Sequence, residues 1–520
     1  MKKKILSTGR QSFRDLREAN CIYVDKTQHI YNLCTTTKMY FLSRPRRFGK
    51  SLLISTLHEL FKGSQELFKD TWIEDKWDWT QKSPVIHVSF LTVDYEKGNL
   101  EIGLRKYLLN QFKIHHLDHE DNQSIKMLFF ELIKQLSEKE GKVVILIDEY
   151  DKPIIDYMEF HKLEQAKANQ QILALFYSAL KEADDYIRLL FITGVSKFAR
   201  VSLFSKLNNL TDLTLHKDYS TLLGYTQTEL EQSFEAYIDK VHLDYPEYSR
   251  TELLEEIRRW YDGYSWDGKN RLYNPYDILL FLDARDFQSY WFETGTPTFL
   301  IKKMTEQNFF YVENIEVDTD FLNQYSLENI ELTSLMFQTG YLTVKEKAKQ
   351  GEMVLSYPNQ EVRLAMYSFL INDMSHNQGA AGVTVRHLKR AFMLNDLERV
   401  EAILTALFGS LAYDVYTHQS IQQVEGFYHG LIHILFKCLG LYVQSEVHTT
   451  KGRADSLVET PTHVYFLEFK INSTAETAFQ QMITQKYATS YKADSRIKMG
   501  IGINFNTVTK ALDDWKMAVV

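Results

Sequence analysis

Four short apolar runs mark the N-terminal part of the chain: MYFLS from Met39, VIHVSFL from Val85, VVILID from Val143 and RLLFITG from Arg188. Segments whose apolar residues recur at helical spacing separate them. Buried strands alternating with amphipathic helices predict a parallel α/β sheet. The helix after the first run is the clearest, because Leu53, Leu57, Leu60 and Phe61 share one face and Gly63 fits a C-cap.

The texture becomes helical after Gly224. Thr226 with Glu229 and Ser249 with Glu252 read as capping boxes, the first ahead of Leu230, Phe234 and Ile238, the second ahead of LLEEIRRWYDG, where Gly263 is placed to stop the helix. Trp260, Tyr261 and Tyr264 read as core aromatics. Residues 341–357, YLTVKEKAKQGEMVLSY, read as a hairpin with a charged turn, and helical patterning returns over 384–411. An apolar helix from about Gly426, strand-like runs around Val443 and Val464, a helix near Phe479 and the strand KMGIGINF predict a second, smaller α/β domain. The expected division is 1–220 for the first core, 221–375 for a helical subdomain and hairpin connector, 376–420 for a helical connector and 421–520 for the terminal domain.

Composition then excludes several classes. With 60 Lys+Arg against 68 Asp+Glu the net charge is -8, so any contact with nucleic acid has to come from a local patch. Cys21, Cys34 and Cys438 form neither a disulfide framework nor a zinc spacing. The start MKKKILSTGRQSF lacks the apolar stretch of a signal peptide, and no run is long and apolar enough to span a membrane. A cytoplasmic protein with reduced thiols is expected.

The stretch SRPRRFGKSLL, from Ser43, lies between the first predicted strand and helix. A phosphate-binding loop needs glycine where backbone amides approach phosphate, a lysine for the β and γ phosphates and a hydroxyl for Mg²⁺. Gly49, Lys50 and Ser51 supply that set, while Arg44 stands in the place of the first glycine. Downstream, VVILIDEYD gives an apolar strand ending in Asp148, suited to hold Mg²⁺, and Glu149, suited to polarise an attacking water. RLLFITG ends at Thr193, near Ser196 and Lys197, where a γ-phosphate would be sensed, and Arg200 reads equally as an arginine finger or a surface charge. Strand, loop, lysine, hydroxyl and acidic strand tip in this order outweigh the plainer reading of a basic turn before an ordinary helix.

These residues, with YVDKTQHIY before them and LIDEYDKPI, FITGVSKF, LNNLTDLT, RWYDGY, YNPYDILLFL and YWFETGTPTFL after them, resemble the bacterial AAA-ATPase-like family, whose loop is typically RPRRFGKS. The resemblance implies ATP binding. It leaves Arg44 and Arg47, with Arg46, to supplement the phosphate-binding charge or to contact another chain or nucleic acid.

Near the end, KGRADSLVETPTHVYFLEFK places Asp455 on one strand and Glu468 with Lys470 on the next, where residues two apart share a face. A hairpin bringing Asp455 beside them gives two carboxylates for Mg²⁺ and a lysine to orient or deprotonate a water, the set that phosphodiester hydrolysis requires. With Glu425 on the preceding helix and Gln481, Gln485 and Lys486 on the following one, these residues resemble the PD-(D/E)XK nuclease superfamily. The run from EGFYHGLIHILFKCLGLYVQSEVHT to QQMITQKYA is similar to the version that accompanies AAA-ATPase-like domains. That resemblance implies Glu425 as the first-helix acid, Asp455 as the metal-binding aspartate and Glu468 with Lys470 as the final pair, with Ala454 where proline often precedes the aspartate. His429 reads as structural, and His115, His116 and His119, in a polar stretch without cysteine, as solvated.

The expected fold is α/β: a P-loop NTPase parallel sheet with a helical subdomain, followed by a smaller PD-(D/E)XK-like α/β domain. The expected function is ATP binding and hydrolysis joined to a Mg²⁺-dependent nuclease, with ATP and Mg²⁺ as cofactors, DNA as partner and no membrane. Self-association through the ATPase module is left open. Two other readings remain: an ATP-dependent sensor or switch whose nuclease-like domain only binds nucleic acid, and an ATPase whose last domain docks a protein partner.

Overall fold

Two of the apolar runs carry no polar alternation because the strands they form are covered on both faces. The structure, a computed structural model, describes all residues except 1–3, 97–98, 121, 158–161, 198–202, 205–206, 208, 295–297, 308, 311, 320–330, 349–350, 376–380, 410–420, 440–441, 449–452, 507–508 and 510. At 293–294, 299, 374–375, 381, 421–429, 442–448, 453–455 and 511 it describes the backbone alone.

Strands β1 (Met39–Ser43), β2 (Val85–Ser89), β3 (Val143–Asp148), β4 (Ile187–Gly194) and β5 (Thr211–Asp212) form a parallel sheet in the order β2-β3-β4-β1-β5. The first four are the predicted runs. The fifth is two half-buried polar residues, too short to show a period. Alternate residues face opposite layers: Tyr40 and Leu42 pack with Leu53, Leu57 and Leu60 of α1 (Lys50–Lys62), whereas Met39 and Phe41 face the opposite layer. That layer contains α2 (Leu100–Ile114), α3 (Ile125–Glu140) and α4 (Leu163–Glu182), with Phe129 stacked on Phe176 at 4.4 Å. The C-terminal ends of β1, β3 and β4 come together at one rim of the sheet, where open α/β sheets bind ligands.

Helices α5 (Gln227–Asp244) and α6 (Arg250–Tyr261) begin with both predicted capping boxes fully formed. Gly263 acts differently from expectation. Helix α6 ends at Tyr261 and the chain passes directly into a two-stranded ribbon, β6 (Asp262–Tyr264) with β7 (Leu272–Tyr273). Gly263, at φ +132°, lets the Pro358 carbonyl approach so closely that a Cβ there would lie 2.1 Å from its oxygen. Helix α7 (Pro275–Ala284), capped by Asn274, follows, and α8 (Leu332–Thr339) precedes the hairpin. Strands β8 (Ile315–Asp318), β9 (Thr343–Lys347) and β10 (Glu352–Ser356) form an antiparallel sheet that contains the hairpin expected over 341–357.

The chain divides into two compact units, Met1–Glu293 with Glu313–Val362, and Thr294–Val312 with Arg363–Val520. In the second, helices α9 (Ala381–Met393), α10 (Leu397–Gly409) and α11 (Ile421–Cys438) precede an antiparallel meander of β11 (Tyr442–His448), β12 (Arg453–Glu459) and β13 (His463–Ile471). Helix α12 (Ala475–Gln485) crosses over to β14 (Ile497–Asn506), parallel to β13, and β15 (Ala511–Val519) adds an antiparallel edge that the sequence reading did not include. Leu457, Val464, Phe466, Phe479, Met482 and Tyr487 form its core. Among the described residues no helix is long and apolar enough to cross a membrane. All three cysteines are free, and burial is the main cause raising each thiol's pKa.

Gly263→Ala is expected to cost about 3 kcal/mol, from positive φ and collision with a backbone oxygen. A thermal scan should show a clear drop in Tm; an unchanged Tm would contradict this account of the turn.

Candidate functional site: a phosphate loop and a carboxylate centre

Strand β1 runs straight into the loop, and Gly49, in the left-handed region at φ +88°, turns the chain into α1. Lys50, the first residue of α1, is buried, and its ammonium donates to the carbonyls of Arg44 and Pro45, each at 2.9 Å. Burial lowers its pKa, while Asp148, Glu149 and Asp151 pull it back up. Ser51 Oγ donates to Asp148 Oδ2 at 2.6 Å, and Thr193 Oγ1 donates to Asp148 Oδ1 at 2.7 Å. One carboxylate therefore joins the first turn of α1, the tip of β3 and the tip of β4. Glu149 follows at φ +55°, half-buried, with its pKa raised chiefly by burial and opposed by Lys50. Lys50, Ser51, Asp148, Glu149 and Thr193 are thus gathered at one rim, beside the N-terminus of α1, a kind of position that favours anions.

The loop arginines separate. Arg44, 1% exposed, spends its guanidinium on the carbonyls of Ser43 and Thr214, at 2.9 and 2.8 Å, and lies 3.9 Å over the Trp266 ring. Arg47, at φ +67°, lies 3.9 Å over the Tyr276 ring and donates to the Tyr290 carbonyl at 3.3 Å. Both therefore brace the loop against the elements after Gly224. Arg46, by contrast, is exposed, and its charge lowers the pKa of Lys50. Phe48 is enclosed by Tyr264 and Trp266 at 4.8 and 5.2 Å, and a Cβ on Gly340 would come 2.7 Å from Pro45.

Asp151 holds the turn after β4 by accepting from the Val195 amide and from the amide and hydroxyl of Ser196. Lys197 pairs with Asp212 at 2.8 Å. Ser196 and Lys197 thus support the rim while Thr193 touches Asp148; Arg200 lies outside the described residues. Tyr23, Val24, Leu52, Leu223 and Tyr225 line a cleft beside Gly49, bordered by Lys26, which donates to both Glu229 carboxylate oxygens at 2.6 and 2.7 Å. No motif announced this cleft, because its walls come from separate parts of the chain.

In the second unit Glu468, 1% exposed, occupies the middle of β13. Its Oε1 accepts from Lys470 Nζ at 3.1 Å and from the Gln481 amide, and its Oε2 accepts from Tyr487 Oη at 3.1 Å. Ser456 pairs with Leu467, so continuing that register by one residue sets Asp455 opposite Glu468. The side chains of Asp455, Glu425 and His429 lie outside the described residues. Of Gln481 and Gln485, Gln481 is the one bonded to Glu468, and Lys486 closes the helix in the left-handed region. Tyr487 is the residue the sequence reading gave no role; it lies in the QKY run that begins at Gln485.

Among the described residues no group of three or more His, Cys, Asp or Glu side chains could hold a metal ion. His115 lies 3.8 Å from Glu140 and His119 sits edge-on to Phe112. The donor chemistry nonetheless fits Mg²⁺, which takes few protein oxygens and completes its shell with water and phosphate. Ser51 and Asp148 supply such oxygens in the first unit, and Glu468 supplies one in the second.

Two family descriptions match the chain: "Predicted AAA-ATPase" over residues 7–204 and "PD-(D/E)XK nuclease superfamily" over residues 423–515. A curated relative from Azotobacter chroococcum mcd 1, described as "Uncharacterized protein in vnfD 5'region", is 36% identical over 522 residues, which cover 98% of each chain. With the loop, the acidic tip and the Glu468 centre each lying inside a matched segment, the chain belongs to the AAA-ATPase-like family and ends in a domain of the PD-(D/E)XK nuclease superfamily.

Proposed function

We propose that this protein hydrolyses ATP and that its nucleotide state governs a Mg²⁺-dependent nuclease acting on DNA. The observation that carries the first half is the Asp148 carboxylate, bonded at once to Ser51 and Thr193 beside Lys50. Lys50 exchanges its loop carbonyls for β and γ phosphate oxygens, the α1 amides cradle the same groups, and exposed Arg46 adds charge. The apolar cleft beside Gly49 takes the adenine. Ser51 and Asp148 would hold Mg²⁺, which supplies charge neutralisation at the transferring phosphoryl group. Glu149 orients a water and accepts its proton.

At the other centre Glu468, Asp455 and Glu425 would hold Mg²⁺ for phosphodiester hydrolysis. Lys470, 3.1 Å from Glu468, orients the water, while Gln481 and Tyr487 fix the carboxylate.

Glu149→Gln is expected to lower ATP turnover by about 100-fold or more while leaving ATP binding in place. Because burial raises the pKa of Glu149, wild-type turnover should fall as pH drops, starting above the ordinary carboxylate range. A profile flat through that range would remove Glu149 as the base. For the nuclease, Glu468→Gln should abolish Mg²⁺-dependent cleavage of single- or double-stranded DNA that the wild type performs, with ATP changing the wild-type rate. Equal inactivity of both proteins on every DNA form, with ATP still hydrolysed, would favour the switch reading.

A further inference from the structure

Glu361, near the start of the helix Gln360–Ser375, is more than three hundred positions from the phosphate loop in sequence and fully buried. Its Oε1 accepts the backbone amides of Tyr290 and Trp291 at 2.6 and 2.8 Å. Its carboxyl also faces that of Asp277, which is 1% exposed and next to Tyr276 in the first turn of α7. Two buried carboxyls face each other stably only when one carries a proton.

These contacts converge on one arginine. The turn held by Glu361 presents the Tyr290 carbonyl that Arg47 bonds, and the helix held through Asp277 presents the Tyr276 ring on which Arg47 lies. Glu361 thus joins the two halves of the Arg47 seat. Arg47 is left-handed at φ +67°, and a non-glycine residue keeps such a conformation only where its surroundings fix it. Two residues later Gly49 begins the turn that faces phosphate.

We propose that Glu361 is a positioning residue of the nucleotide site: by building the Arg47 seat it holds the phosphate loop in the shape that receives ATP. This deepens the ATP reading above and rests on it. The groups facing Glu361 are Arg47 from the loop, Asp277 from α7, Tyr261 at the end of α6, Tyr264 from β6 and Tyr290 from the turn. Burial raises the pKa of both Tyr261 and Tyr264, which stay neutral, and raises that of Glu361, so the acid pair keeps its shared proton above the ordinary carboxylate range. As pH rises further the proton leaves, two buried anions face each other, and the seat loosens.

The test uses the full chain, with MgATP hydrolysis read as KM and kcat across pH and with amide hydrogen exchange of residues 44–51 in nucleotide-free protein. Glu361→Ala should raise KM roughly tenfold or more with a smaller change in kcat, and speed loop exchange. Glu361→Gln keeps an acceptor for both amides and offers its NH₂ to Asp277, so it should restore KM and exchange while flattening the rise of KM with pH. Where Glu361→Ala fails to fold, Arg47→Met carries the same expectation. Wild-type KM and exchange in Glu361→Ala or Arg47→Met would overturn the proposal, as would a Glu361→Gln protein as impaired as Glu361→Ala. A wild type that hydrolyses no ATP would sink the ATP reading, and exchange in nucleotide-free protein would still decide the seat.

Discussion

The Asp148 carboxylate takes one hydroxyl on each oxygen, Ser51 from α1 and Thr193 from β4. That arrangement exists because β4 lies between β1 and β3 in the sheet, bringing three strand tips to one rim. A buried carboxylate is tolerated only where donors satisfy it, and these two come from α1 and β4. The sheet order, the glycine turn into α1 and the burial of Lys50 all serve that single junction.

The arginine-rich mouth of the loop has a use that a glycine-rich one lacks. Arg44, Arg47 and Phe48 lock onto Trp266, Tyr276 and Tyr264. The runs RWYDGY and YNPYDILLFL, which carry part of the family resemblance, supply two of those three rings. The loop is thereby built into the helical subdomain within the same unit, so a change in loop shape reaches α7 through side chains already in contact.

Much of this was legible because it is local. The Gly49-Lys50-Ser51 run, the acid at the end of an apolar strand, and the Glu468–Lys470 spacing encode geometry within a few residues, and both capping boxes formed as read. What could not be read depends on distant partners. Arg44 was expected among the phosphate ligands, yet Thr214, 170 residues away, takes its guanidinium. Glu361 and Tyr487 carry no local signal, since their roles come from chain segments that only folding brings together. The strands β5 and β15 escaped notice for a related reason: one is two residues long and the other lies at a sheet edge with weak alternation.

The most direct measurement is a calorimetric titration of ATP into the wild type and Asp148→Asn, each with and without Mg²⁺. The account predicts one ATP site per chain in the wild type, tightened by Mg²⁺, with that tightening lost in Asp148→Asn. No ATP binding in the wild type, or an identical Mg²⁺ effect in both proteins, would contradict it.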